Sequence, residues 1–157
     1  MTLSMQTVIA QIRDKVAEVS GFQRVYAPSE TDGNRIPPAF NELPCALVLP
    51  GENIDYILSA GGHRHTYQVL VQVFEAPGGD LGEAAYGILP MVDALIEKFA
   101  GNIALADAGG ANPRANSCVF ASHSAFSGME YGGQQFMGMS ITLRVSEQAT
   151  ATPALGS

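Results

Sequence analysis

Two pairs of adjacent glycines, Gly61-Gly62 and Gly132-Gly133, each stand just before a run in which apolar and polar residues alternate. After the first pair, His63 to Phe74 puts Tyr67, Val69, Val71 and Val73 on one side and Thr66, Gln68 and Gln72 on the other. After the second, Phe136 to Val145 puts Met137, Met139, Ile141, Leu143 and Val145 opposite Gly138, Ser140, Thr142 and Arg144. A period of two places successive side chains on opposite faces of a strand, and paired glycines supply the positive φ angles of tight hairpin turns. Such a chain is committed to an antiparallel sheet with β-hairpins. Asn53 to Ser59, which sets Ile54, Tyr56 and Leu58 on one side, is the expected partner of the first run. Cys45 to Leu49 is apolar on both faces and is expected to be a buried strand ending at Pro50-Gly51. Short strands are expected at Phe22 to Tyr26 and from Cys118 to Phe126.

Two segments carry the other period. Met5, Ile9, Ile12, Val16 and Val19 recur at steps of four and three, one apolar stripe on a helix, with Ser4 as N-cap and Gly21 just past the end. A second helix, capped by Asp80, is expected to reach Phe99 on a stripe of Ala84, Ala85, Ile88, Val92, Leu95, Ile96 and Phe99. Pro90 interrupts that stripe; either the helix kinks there or a second one begins. The order helix, strands, helix, strands gives an α+β fold, an antiparallel sheet with two α-helices packed on one face. Residues 1–146 form the expected single domain and 147–157, which lack periodicity and large apolar residues, an expected disordered tail. Two irregular segments, Pro28 to Pro44 and Asp107 to Asn116, are expected as loops. The first is either an ordered surface excursion or a partner-contacting loop.

Composition narrows the function. Charged residues are 15% of the 157, against about 25% in a typical soluble domain, so part of the surface is expected to be covered by other subunits. A net charge of −7 with eight Lys and Arg is unlike a protein that grips nucleic-acid phosphates. No apolar run approaches the roughly 20 residues of a membrane helix, and no basic-then-apolar secretory leader is present, so an intracellular chain is expected. Cys45 and Cys118 lie in apolar runs without zinc spacing and are expected as buried thiols, with a disulfide between them the lesser alternative.

The candidates for chemistry are few. His63 and His65 occupy alternate positions of a strand and could share a metal, but Arg64 lies between them and no third ligand is close in sequence. His123 sits between Ser122 and Ser124, yet strand neighbours point to opposite faces, which a Ser–His pair cannot use. The glycine pairs flank strands and match no phosphate-binding loop. Cys45 has no base near it in sequence. Met129, Met137 and Met139 are expected as core filler rather than a binding groove. The expectation is therefore no catalytic, cofactor-binding or metal-binding residue, and no cofactor.

In the order of its parts the chain resembles a family of tailed bacteriophages, the tail terminator or tail-completion proteins of the head–tail junction, found also in prophages and gene transfer agents. The resemblance covers roughly Met1 to Ser146 and rests on several parts in order. These are the helix Met5 to Val19, Phe22-Gln23-Arg24-Val25-Tyr26, the Pro-containing loop into Leu43-Pro44-Cys45-Ala46-Leu47-Val48-Leu49, and the hairpin ending in Tyr67 to Phe74. A second helix follows, then Tyr131-Gly132-Gly133 running into Ile141-Thr142-Leu143-Arg144-Val145. Asp107 to Asn116 would be an insertion relative to shorter relatives. The resemblance implies a structural, non-enzymatic subunit of a homo-oligomeric ring, usually of six, that caps the tail tube and joins it to the head connector. Its implied partners are sister subunits, the tail-tube protein and the connector protein, with DNA passing through unbound and no membrane involved. The implied place is the virion tail or neck, assembled in the host cytoplasm. Alternatives are a tail-tube or head-completion subunit of the same junction, a small-ligand-binding domain using the helix–sheet cleft, or a metal-dependent enzyme built on His63 and His65.

Overall fold

A computed structural model describes residues 5–28, 35–38, 40, 42–59, 62–77, 81–101, 103–105 and 116–149. Both alternating runs fold as long strands, and each is longer than its pattern implies. In chain order the elements are α1 (Met5–Ala17), β1 (Arg24–Tyr26), β2 (Cys45–Ser59), β3 (Gly62–Pro77), α2 (Leu81–Ala100), β4 (Ile103–Leu105), β5 (Asn116–His123), β6 (Ser127–Tyr131) and β7 (Gln134–Ala149). The strands form one sheet in the order β1-β2-β3-β7-β5-β4, and β6 pairs with β7. This is the expected α+β fold with two helices, with one correction: the sheet is mixed. β1 pairs with β2 in parallel, Val25 opposite Ala46, because the long connection from Ala27 to Pro44 returns the chain to the starting end of the sheet.

Other boundaries also differ. β2 runs through Pro50-Gly51 without ending, with register shifts between Pro50 and Asn53 and between Asn53 and Asp55. Proline is tolerated on an edge strand, and among the described residues β2 has no partner on its outer side beyond Leu47. The expected strand Cys118 to Phe126 instead starts at Asn116 and stops at His123. There Ser124 Oγ accepts a hydrogen bond from the Ser140 amide at 2.9 Å, and the chain turns before β6. β7 does not stop at Val145. It continues past the expected domain end to Ala149, and Glu147, assigned to the tail, is 1% exposed. Ser4, Asp80, Gly61, most of the Asp107–Asn116 segment and 150–157 lie outside the described residues.

The larger core lies between the sheet and both helices. From α1 it takes Val8, Ile9, Ile12 and Val16, while Met5, expected on the stripe, is exposed. From α2 it takes Ile88, Met91, Val92, Leu95 and Phe99, and from the sheet Tyr67, Val69, Val71, Val73, Met139, Ile141, Leu143 and Val145. Lys98 of α2 reaches Glu18 just past α1 at 3.3 Å, tying the two helices together. α2 is one helix with Pro90 inside it. The missing proline amide frees the Tyr86 carbonyl, and both residues are exposed, so water can satisfy it.

A second, smaller core occupies the opposite face at one end of the sheet. Phe40 is its centre, stacked on Tyr131 at 4.0 Å and on Tyr26 at 5.8 Å, with Phe74 at 4.8 Å and Phe136 at 5.5 Å. Cys45 and Leu47 complete it, which explains why Cys45 to Leu49 is apolar on both faces. The Tyr131 hydroxyl donates to the Pro37 carbonyl, so the described part of the proline-rich segment is fastened down on this face. The Gly132-Gly133 turn beside it has φ of 59° and 80°, as the sequence requires. Gly138 is needed for another reason: a Cβ there would meet the Val73 carbonyl oxygen, so β3 and β7 approach too closely for any side chain. Both cysteines are free and buried, one in each core on opposite faces of the sheet. Desolvation pushes both thiols up to about 12, which keeps them protonated and unreactive at neutral pH.

Candidate functional site

Beyond the helices, the β2–β3 hairpin continues as an arm, from Asn53 to Ser59 and back from Gly62 to Thr66, backed by β7 through Ser146 to Ala149. Residues paired across an antiparallel ladder share a face. Tyr56 and Leu58 therefore lie with His65 and His63 on the helix side of the sheet, and Asp55 and Ile57 lie with Thr66 and Arg64 on the opposite side. The arm has apolar residues on both faces, and both are bare. Ile54, Tyr56, Ile57 and Leu58 are 44 to 69% exposed, four of the seven large exposed apolar side chains among the described residues. The others are Met5, Tyr86 and Leu89.

On the helix side the two imidazoles do share a face, as alternation predicts, but they are engaged separately. The Tyr56 hydroxyl lies 2.5 Å from His63 Nδ1, and Asn53 Oδ1 lies 2.9 Å from His65 Nε2. The Tyr56 ring meets both imidazoles, with centroids 5.6 and 6.0 Å away. Glu147, opposite His65 in the ladder, accepts a hydrogen bond of 2.8 Å from the buried Tyr67 hydroxyl instead. Burial, and then that carboxylate, push the Tyr67 hydroxyl well above the ordinary phenol range. Among the described residues no three His, Cys, Asp or Glu side chains gather as a metal site would need. His123 is exposed, its Nδ1 2.8 Å from the carbonyl oxygen of Ser124.

The opposite side of the arm holds what the sequence did not single out. Ile54, Asp55, Arg64 and Thr66 of the hairpin, Ser117 and Val119 of β5, and Arg144 and Ser146 of β7 line a groove of about 480 Å³. The sheet supplies all eight. Arg13, Lys15, Arg24 and Lys98 each pair with a carboxylate, whereas among the described residues Arg64 and Arg144 form no ion pair. Asp55 contributes a buried oxygen, Oδ1, that has no hydrogen-bond partner. A buried acceptor without a donor is costly, of the order of 1–3 kcal/mol, so the groove is built with unmet needs of both signs. Each arginine sits on the polar side of its alternating run. Seeing that they meet required knowing that β3 and β7 are neighbours.

No known family model matches the chain, and no curated protein matches its sequence. No helix among the described residues is long and apolar enough to cross a membrane.

Proposed function

We propose that this chain is a structural subunit of a phage-like tail, a terminator that forms a ring, caps the tail tube and joins it to the head connector. The observation that carries this reading is the arm, on which one hairpin leaves Ile54, Tyr56, Ile57 and Leu58 bare on both faces. Scattered apolar residues are ordinary on a monomer, but a cluster rimmed by polar groups marks an interaction surface. An element exposed on two sides at once can contact two neighbours, or one neighbour that wraps it, as a subunit in a ring does. The low share of charged residues and the absence of a basic stripe support the same reading. A ring through which DNA moves works best when its wall does not hold phosphates, because each Lys or Arg contact adds an attractive, salt-dependent term. The reading assigns no reaction, cofactor or metal to the chain.

The test combines native mass spectrometry and electron microscopy of the full chain, alone and with its tail-tube protein, with filter binding of duplex DNA. The expected result is a closed homo-oligomer, hexameric in the usual case, that does not retain DNA at ordinary salt. A chain that stays monomeric beside the tube protein, or that holds DNA tightly, would sink the proposal.

A further inference from the structure

Building on the ring reading, we infer that the groove side of the arm docks on the outer face of α2 of a second copy of this chain. α2 turns its buried stripe to the core and leaves an opposite stripe in solvent. Tyr86, Leu89, Asp93 and Glu97, spaced three, four and four residues apart, lie along it. Tyr86 is 82% exposed and Leu89 51%, the two exposed large apolar side chains among the described residues of the helix. Asp93 and Glu97 form no ion pair among the described residues, although Lys98 beside them does.

The two surfaces answer each other in three ways. The groove side of the arm is apolar and basic, with Ile54 and Ile57 beside Arg64 and Arg144; the stripe on α2 is apolar and acidic. Each has charges without an ion pair among the described residues, and the signs are opposite. The groove is also lined by the hydroxyls of Thr66, Ser117 and Ser146, and the Tyr86 hydroxyl is a partner for them on the complementary surface. Burying apolar surface at the centre with desolvated charge pairs around it is how such contacts gain both affinity and register.

An α2 that fills the groove belongs to another copy. α2 packs on the helix side of the sheet and the groove opens on the other, so one chain cannot bring the two together. A contact between different patches of identical chains is heterologous, and repeated it gives a ring where its rotation closes and a filament where it does not. The outer edge of β2 is the other route to assembly. Pro50 and the two register shifts disturb its ladder, as edges that avoid strand addition are disturbed. The faces of the arm are left to make the contact.

Charge reversal with complementation tests this. Two full-length variants are made, Arg64→Glu with Arg144→Glu, and Asp93→Lys with Glu97→Lys, all at exposed positions. Assembly is followed by sedimentation and native mass spectrometry, with the tail-tube protein present. Each variant alone is expected to assemble at least tenfold more weakly than wild type. An equimolar mixture is expected to recover assembly, because each reversed arm then meets a reversed helix. In a second measurement, chains carrying Ile57→Cys and Leu89→Cys are expected to form a disulfide-linked heterodimer on mixing. Neither alone should link comparably, since the native thiols are buried. Wild type that assembles while both variants assemble equally well, or variants that fail alone and stay apart when mixed, would overturn the contact and leave the ring reading standing. Wild type that never assembles would overturn both. DNA retention by wild type that Arg64→Glu with Arg144→Glu abolishes would assign the groove to phosphate instead.

Discussion

The two ends of the β2–β3 hairpin are made from the same two strands and have opposite fates. At the base, Cys45 to Val48 lies against Val71 to Phe74, with helices on one face and the Phe40 cluster on the other, and every apolar side chain in it is buried. At the tip, Asn53 to Ser59 lies against Gly62 to Thr66, with Ile54, Tyr56, Ile57 and Leu58 exposed among polar residues and no helix packed on them among the described residues. Both ends carry apolar residues on both faces of the sheet. What differs is whether other elements reach that far along the sheet. Among the described residues the helices and the proline-rich segment cover the base only; the base holds the subunit together, and on the proposed reading the tip meets a neighbour.

The sharpest way to break this comparison is to empty the base. Phe74→Ala, which removes a ring touching Phe40, Tyr131 and Phe136, is expected to cost about 3–5 kcal/mol in urea unfolding. A loss under about 1 kcal/mol would mean that the aromatic cluster is not a core at all. Next comes Gly138→Ala, where the added methyl is driven against the Val73 carbonyl. The expected loss is about 1–3 kcal/mol, read by the same unfolding curves, as for other overpacked sites.

A third variant tests a flaw in the base rather than its strength. Glu75 packs close against Gly87 of α2, with Oε2 buried and unpartnered, and desolvation raises its carboxyl above the ordinary value. Because the folded value lies above the unfolded one, the ionised form opposes folding at neutral pH and the protonated form does not. Glu75→Gln is therefore expected to raise stability at pH 7 by less than about 1 kcal/mol. Melting curves taken across pH should show that gain shrinking to nothing below about pH 4. The smallest effect is expected at the tip. Ile57→Ser and Leu58→Ser should leave the unfolding free energy of the isolated subunit within about 0.5 kcal/mol of wild type while weakening its assembly. A large stability loss there would show that the tip is part of the fold after all.

Much of the base was legible in the sequence. Strict alternation in β3 and β7 identified the inward face residue by residue, from Tyr67 to Val73 and from Met139 to Val145, and the helix stripes named most of the residues they bury. The parallel pairing of β1 was not legible, because three residues carry no direction and only the long connection allows it. The end of β7 was misjudged for a physical reason: Glu147 reads as a solvated charge, yet Tyr67, 80 residues earlier, supplies the hydrogen bond that lets it be buried. The second core was hidden likewise, since Phe40 lies in a proline-rich segment without period and its four ring partners come from β1, β3, β6 and β7. As for the site, Ile54, Tyr56 and Leu58 were expected on one strand face. The register shift between Asn53 and Asp55 turns Ile54 to the groove side, away from Tyr56 and Leu58, and sequence could not say that either face stays uncovered. The groove needed strand order as well as strand pattern.

β7 has a mechanical consequence. It runs 16 residues, roughly 50 Å at about 3.3 Å per residue, from the aromatic cluster to the end of the arm. It pairs with β3 at fourteen positions, and on its other side with β6 and then β5. A force drawn along the arm acts parallel to these strands, so the backbone hydrogen bonds of the ladder share it at once instead of opening one after another. Drawn sideways, the same arm would peel from its tip. A subunit built this way is expected to withstand traction in one direction far better than in another, a property that would serve the proposed place between a tail tube and a head.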